Sequence, residues 1–184
     1  MLPARCLLAY NSSITNKGFM EAVMSEFKAK RIIQSYEVRI SAPAARVFPL
    51  LCPVREYDWI DGWSCDLIYS DSGVAEHNCI FQTNREGQGR RTWVVSRYEP
   101  NRAIEFVIFQ DDLGVIKYAL YLSENGDGTS NLRITQTITG LNPAGNAAID
   151  ALPKDLVRQH WTFLEKVLNH YLLTGEMLSS APRQ

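Results

Sequence analysis

His160 stands one helical turn from Leu156 on one side and from Leu164 on the other, a spacing that puts an imidazole on the apolar face of a helix. An imidazole so placed can orient a ligand or move a proton near neutral pH, and it can equally be a satisfied core or rim histidine. Glu56, Asp58 and Asp61 gather around Trp59. In a sheltered pocket mouth such carboxylates separate their pKa values and do acid–base work; in a wet loop they are solvated charges, the reading favoured here. Arg85, Arg90 and Arg91 flank Gly87 and Gly89. A phosphate cradle needs a helix to begin after the glycines, and a strand follows instead, so the segment reads as a hairpin turn. An arginine at the start of that strand can still meet a ligand carboxylate. His77 and His170 read as surface residues, and Cys6, Cys52, Cys65 and Cys79 form no C-x-x-C pair and no zinc spacing with histidine. The cysteines read as reduced and mostly buried. No G-x-S-x-G elbow or activated nucleophile occurs, so no catalytic set, metal or cofactor is assigned.

The elements that position these residues follow from periodicity. From Ile32 to Ile40, Tyr36, Val38 and Ile40 alternate with Glu37 and Arg39, which predicts a strand with one wet face. Ala42-Pro43 ends it and opens a helix of about two turns, which Pro49 and Pro53 cut into a bent pair. Strands are expected at 64–70, 78–84, 90–98, 103–110, 114–123 and 129–139, separated by turn chemistry such as Asn125-Gly126-Asp127-Gly128. Connections this short make the neighbours antiparallel, a meander. The inward face between 64 and 84 stays ambiguous. Asn142-Pro143 opens a helical region, Pro153 kinks or restarts it, and an amphipathic helix runs from Lys154 to Leu173 before Thr174-Gly175. Residues 1–30 read as an N-terminal extension in which Phe19, Val23 and Phe27 mark a short amphipathic helix; residues 31–175 form the main domain and 176–184 a tail.

A chain of 184 residues with 46% hydrophobic content has the size and composition of one globular domain. The formal net charge is −1, from 19 basic and 20 acidic residues, and leaves no footprint for nucleic acid or anionic membrane. No apolar run approaches the roughly 20 residues that cross a bilayer, so a cytoplasmic protein is expected, not an integral membrane one. A homodimer is among the assemblies the sequence allows.

Seven strands at about 4.8 Å spacing make a sheet about 30 Å wide, whereas one helix is about 10–12 Å across. A single terminal helix leaves part of an apolar sheet face uncovered, and the sheet must curl around it. Curling leaves space on the concave side. Trp59, Trp63, Phe81, Trp93, Phe106 and Tyr118, with His160, are the expected lining of a cavity for a hydrophobic small molecule.

The strand, the A-P-A-A-R-V-F helix at 42–48, the W-I-D-G-W at 59–63, the hairpins and the terminal amphipathic helix together resemble the START/Bet v 1-like (SRPBCC) superfamily. The likeness leans toward its polyketide cyclase/dehydrase and lipid-transport group and covers about residues 31–175. It implies an α+β helix-grip fold: a curved antiparallel sheet of about seven strands around a long C-terminal helix, with two short helices after the first strand. It also implies binding or transport of a lipid, quinone or aromatic polyketide. A cyclase, aromatase or dehydratase using polar groups in the same cavity is the alternative, and a protein-partner module built on the 19–27 helix or a sheet edge is a third reading. The superfamily shares no catalytic set, so none transfers.

Overall fold

The computed structural model describes residues 27–85 and 89–179. Strand β1 (Arg31–Ile40) leads into Pro43, which caps α1 (Ala44–Val47). A 3-10 turn (Phe48–Leu51) and α2 (Pro53–Glu56) follow. The bend falls where expected. Cys52 is extended at φ −80° and ψ 130°, the geometry that a following proline imposes. The other strands are β2 (Asp66–Tyr69), β3 (Ile80–Arg85), β4 (Gly89–Glu99), β5 (Ala103–Gln110), β6 (Gly114–Glu124) and β7 (Ser130–Gly140). Two helices close the chain, α3 (Pro143–Asp150) and α4 (Leu156–Thr174). Gly175 ends α4 in the left-handed region at φ 73°, the conformation a glycine adopts without a Cβ clash. The proposed 19–27 helix lies outside the described residues apart from exposed Phe27.

The seven strands form one antiparallel sheet in the order β1-β7-β6-β5-β4-β3-β2. From β2 to β7 consecutive strands pair antiparallel, and β1 closes against β7 in continuous register from Arg31–Thr139 to Ile40–Ser130. Helix α4 lies along β1. At its start Gln34 accepts from Val157 N–H and donates to the Pro153 carbonyl; toward its end Asn169 accepts from Ser41 N–H and donates to the Arg39 carbonyl. Its apolar stripe Val157, Trp161, Leu164, Val167, Leu168 and Leu172 is buried against the concave face. Strand β2 explains the ambiguous stretch: Asp66, Leu67, Ile68 and Tyr69 are all exposed, because an edge strand uncovered on both faces needs no alternation.

The convex face is polar at its centre. Glu105, only 6% exposed, accepts from Lys117 at 2.7 Å, from Arg97 at 3.2 Å and from the Tyr121 hydroxyl. Burial alone raises this carboxyl, but those donors outweigh it and hold Glu105 below the usual carboxylate range. No helix among the described residues is long and apolar enough to cross a membrane.

Candidate functional site

Register fixes which side chains meet on the concave face. Arg91, Gln110, Gly114 and Gly140 are cross-strand partners on β4, β5, β6 and β7. Two residues along, the row is Trp93, Ile108, Ile116 and Ile138; two further, it is Val95, Phe106, Tyr118 and Gln136. The sheet therefore presents a polar row, an apolar row and an aromatic row that ends in a glutamine.

The aromatic side chains do not stand apart around a hole. Phe81 and Trp93 stack at 5.2 Å, Phe106 packs edge-on against both at 5.9 and 5.7 Å, and Tyr118 closes the group 6.4 Å from Trp93. Helix α4 reaches this cluster through Trp161, whose indole N–H donates to the Tyr118 hydroxyl. Burial pushes the Tyr118 phenol far above an ordinary tyrosine, so it stays protonated. Ring against ring thus fills the middle of the grip.

A pocket of about 140 Å³ remains beside this cluster, where α3 roofs the end of the sheet. Arg91, Gln110, Gly114, Ile116, Gln136, Ile138 and Gly140 supply its sheet side; Gly145, Ala148, Ile149, Leu152 and Leu156 supply its helical side. Two glycines let the roof come down, and a third lets β6 and β7 approach beside it. A Cβ on Gly145 would lie 1.9 Å from the Leu113 carbonyl oxygen, and one on Gly140 would lie 2.9 Å from the Gly145 carbonyl carbon. One on Gly114 would meet the Thr139 carbonyl oxygen at 3.0 Å. The Asn142 side chain caps α3 by accepting from Gly145 N–H at 2.8 Å, and its amide donates to the Asp112 carbonyl at 2.8 Å. Ile149 then turns inward, 6% exposed.

Polar groups in the pocket are few. Arg91 is half-buried with its Nε out of reach of water, and its Nη2 reaches Gln110 Oε1 at 3.4 Å. The half-buried Gln136 amide makes no side-chain hydrogen bond to any described residue. Two larger depressions lie on the outer surface: one of about 480 Å³ between Arg46, Arg55 and the end of α4, and one of about 410 Å³ on the convex face by Lys117 and Arg133. Neither enters the space between sheet and helix.

None of the seven residues singled out from sequence lines the 140 Å³ pocket. Phe81, Trp93, Phe106 and Tyr118 come together as the cluster beside it. Trp59 is 1% exposed and donates to the Leu50 carbonyl at 2.9 Å, a plug for the bent helical turns. Trp63 is half-buried, with its N–H on the Pro53 carbonyl at 2.8 Å. His160 is corrected: its side chain is exposed, because the inward stripe of α4 passes through Val157, Trp161 and Leu164. Asp58 pairs with Arg55 at 2.6 Å on the surface. Among the described residues Cys52 and Cys79 are buried and Cys65 half-buried, all as free thiols, and burial raises the pKa of Cys65 and Cys79. Sequence reasoning missed Gln110, Gln136 and the α3 roof. The legible signal was a glutamine at an inward-facing position of an otherwise apolar alternation.

No protein-family model matches the chain, and no curated protein matches it in sequence. Solved structures do. Norcoclaurine synthase from Thalictrum flavum, in complex with dopamine and hydroxybenzaldehyde, superimposes with a TM-score of 0.60 at 12% identity, over 92% of this chain and 97% of that one. Ara h 8.0201 gives 0.57 at 16% identity, over 79% of this chain and 99% of that one. DynU16, from the dynemicin biosynthetic locus, gives 0.55 at 16% identity, over 78% of this chain and 48% of that one.

Proposed function

The chain has the START/Bet v 1-like helix-grip fold, and from that premise we propose that it binds a hydrophobic small molecule in the pocket beneath α3. The observation that carries the reading is a void of about 140 Å³ on the concave face, walled by Ile116, Ile138, Ile149, Leu152 and Leu156 and kept by a helix seated on glycines. Apolar burial, at about 25 cal/mol per Å², supplies the affinity. A lipid, quinone or aromatic polyketide was the class the sequence suggested, and the space under α3 suits the smaller end of that range or one part of a larger molecule.

The alternative, cyclase or dehydratase chemistry in the same space, gains less support. The side chains that reach the pocket are a guanidinium, two carboxamides and aliphatics, the Thr139 hydroxyl being held by Arg31 on the other face of the sheet. These hold and orient a ligand; they do not exchange protons near neutral pH. Tyr118, the nearest phenol by register, is committed to Trp161.

Native mass spectrometry of protein purified from its own host tests the binding reading. A retained small-molecule adduct is expected in the wild type, and it should be lost in Ile138→Phe and in Leu152→Trp, which fill the pocket from opposite walls. An adduct retained by both folded variants would place the ligand elsewhere. Its turnover into a second mass on incubation would favour the enzyme.

A further inference from the structure

Two glutamines are cross-strand partners on β1 and β7, Gln34 and Gln136, and only one of them is used by the fold. Gln34 engages both ends of its amide on the chain around the start of α4, accepting from Val157 N–H and donating to the Pro153 carbonyl, each at 3.1 Å. Gln136 lines the pocket, half-buried, and its side chain bonds no described residue. The row it ends, Val95, Phe106, Tyr118 and Gln136, carries no charge, and the Tyr118 hydroxyl is taken by Trp161. Arg91 stands two rows away and has partners of its own, Gln110 among them. An amide covered by an apolar ligand loses its hydrogen bonds to water and regains nothing, so the favoured ligand is one that pairs with it. A carboxamide donates through its nitrogen and accepts through its oxygen, and a neutral group that also does both, a hydroxyl or an amide, answers it. A carboxylate only accepts, and at this uncharged end it would be an ion among aliphatic and aromatic walls.

Size narrows the class again. About 140 Å³ is the volume that holds one benzene-sized ring. We propose that the pocket takes an uncharged molecule of about one ring, whose hydroxyl or amide group pairs with the Gln136 side chain while its body lies against Ile116, Ile138, Ile149 and Leu152. This assignment rests on the small-molecule reading above and names its ligand class.

Amide chemical shifts of the full chain, followed by NMR while benzyl alcohol, its apolar isostere ethylbenzene, or benzoate is added at neutral pH, test it. Both neutral probes should shift Gly114, Ile138, Gly140 and Ile149 in the wild type. In Gln136→Leu, benzyl alcohol should bind about 10-fold more weakly, while ethylbenzene binds as well or better because it no longer covers an unpaired amide. Gln136→Met, which keeps the length of the side chain and drops the amide, should do the same and stands in if the leucine variant fails to fold. An alcohol-to-hydrocarbon affinity ratio that moves by less than about 3-fold in the folded variants, shifts from the hydrocarbon alone, or tighter binding of benzoate than of the alcohol would each overturn the neutral polar class and leave small-molecule binding standing. If neither neutral probe shifts those four amides, the binding reading falls with it.

Discussion

Gln136 sits at an inward position of β7 between Ile134 and Ile138, a carboxamide where the alternation calls for an aliphatic. Its side chain bonds no described residue, so it contributes little to folding and leaves two donors and an acceptor to whatever enters the pocket. Gln136→Leu is therefore expected to raise the free energy of unfolding by about 0.5–1 kcal/mol in urea denaturation, while weakening any ligand that carries a polar group at that end. A loss of stability would show that the amide is structural. Tyr118→Phe should act oppositely. It strands the Trp161 indole N–H in a buried site and should cost about 1–3 kcal/mol by the same measurement. At this scale the sequence was half legible. Tyr118 and Trp161 were correctly marked as inward, whereas His160, one position from Trp161, faces solvent, because 100° of helical rotation separates neighbours and the stripe's centre is set by packing.

Helix α3 decides whether there is a pocket at all. Its eight residues are too few to persist alone in water, so its place depends on the Asn142 cap and on the close backbone approach at Gly145. Gly145→Ala drives a methyl group to 1.9 Å from the Leu113 carbonyl oxygen and must lift the helix. A loss of about 1–3 kcal/mol is expected, together with hydrogen-exchange protection lost across 143–150 and spared in β4 and β5. Asn142→Ala should cost about 1 kcal/mol with the same regional signature. The helix boundaries were readable from the capping asparagine and Pro143; the destination of the helix was not, because a glycine's role as a seat exists only once the Leu113 carbonyl is above it.

Across the whole molecule the concave side is apolar and the convex side carries a buried carboxylate under two cations and a phenol. Glu105 is held below its ordinary pKa, so its stabilisation is complete above about pH 4.3, the unfolded value, and is lost as pH falls through the folded one. Glu105→Gln should therefore lower stability by about 1–3 kcal/mol at pH 7 and make unfolding less pH-dependent than in the wild type between pH 5 and 2, as followed by urea titrations. Parallel pH profiles for the two proteins would rule the network out as a source of acid sensitivity. The boundary drawn near residue 30 leaves β1 to α4 as one body, and we expect a chain of residues 27–179 to keep the near-ultraviolet circular dichroism of the full protein.

Local chemistry determined the order and the type of the elements. Alternation marked the strands, prolines 43, 49, 53 and 153 placed the bends, and glycines with asparagines placed the turns, since each acts on its own backbone or a near neighbour. The excess of concave sheet over one helix was likewise a matter of counting strands. What filled that excess required coordinates. Whether Phe81, Trp93, Phe106 and Tyr118 line a hole or stack into each other depends on distances between residues 12 to 37 positions apart, and the small pocket that survives is bounded by glycine contacts and register partners that have no meaning along the chain. Tertiary packing, not residue type, moved the candidate site from the tryptophans to Arg91, Gln110 and Gln136.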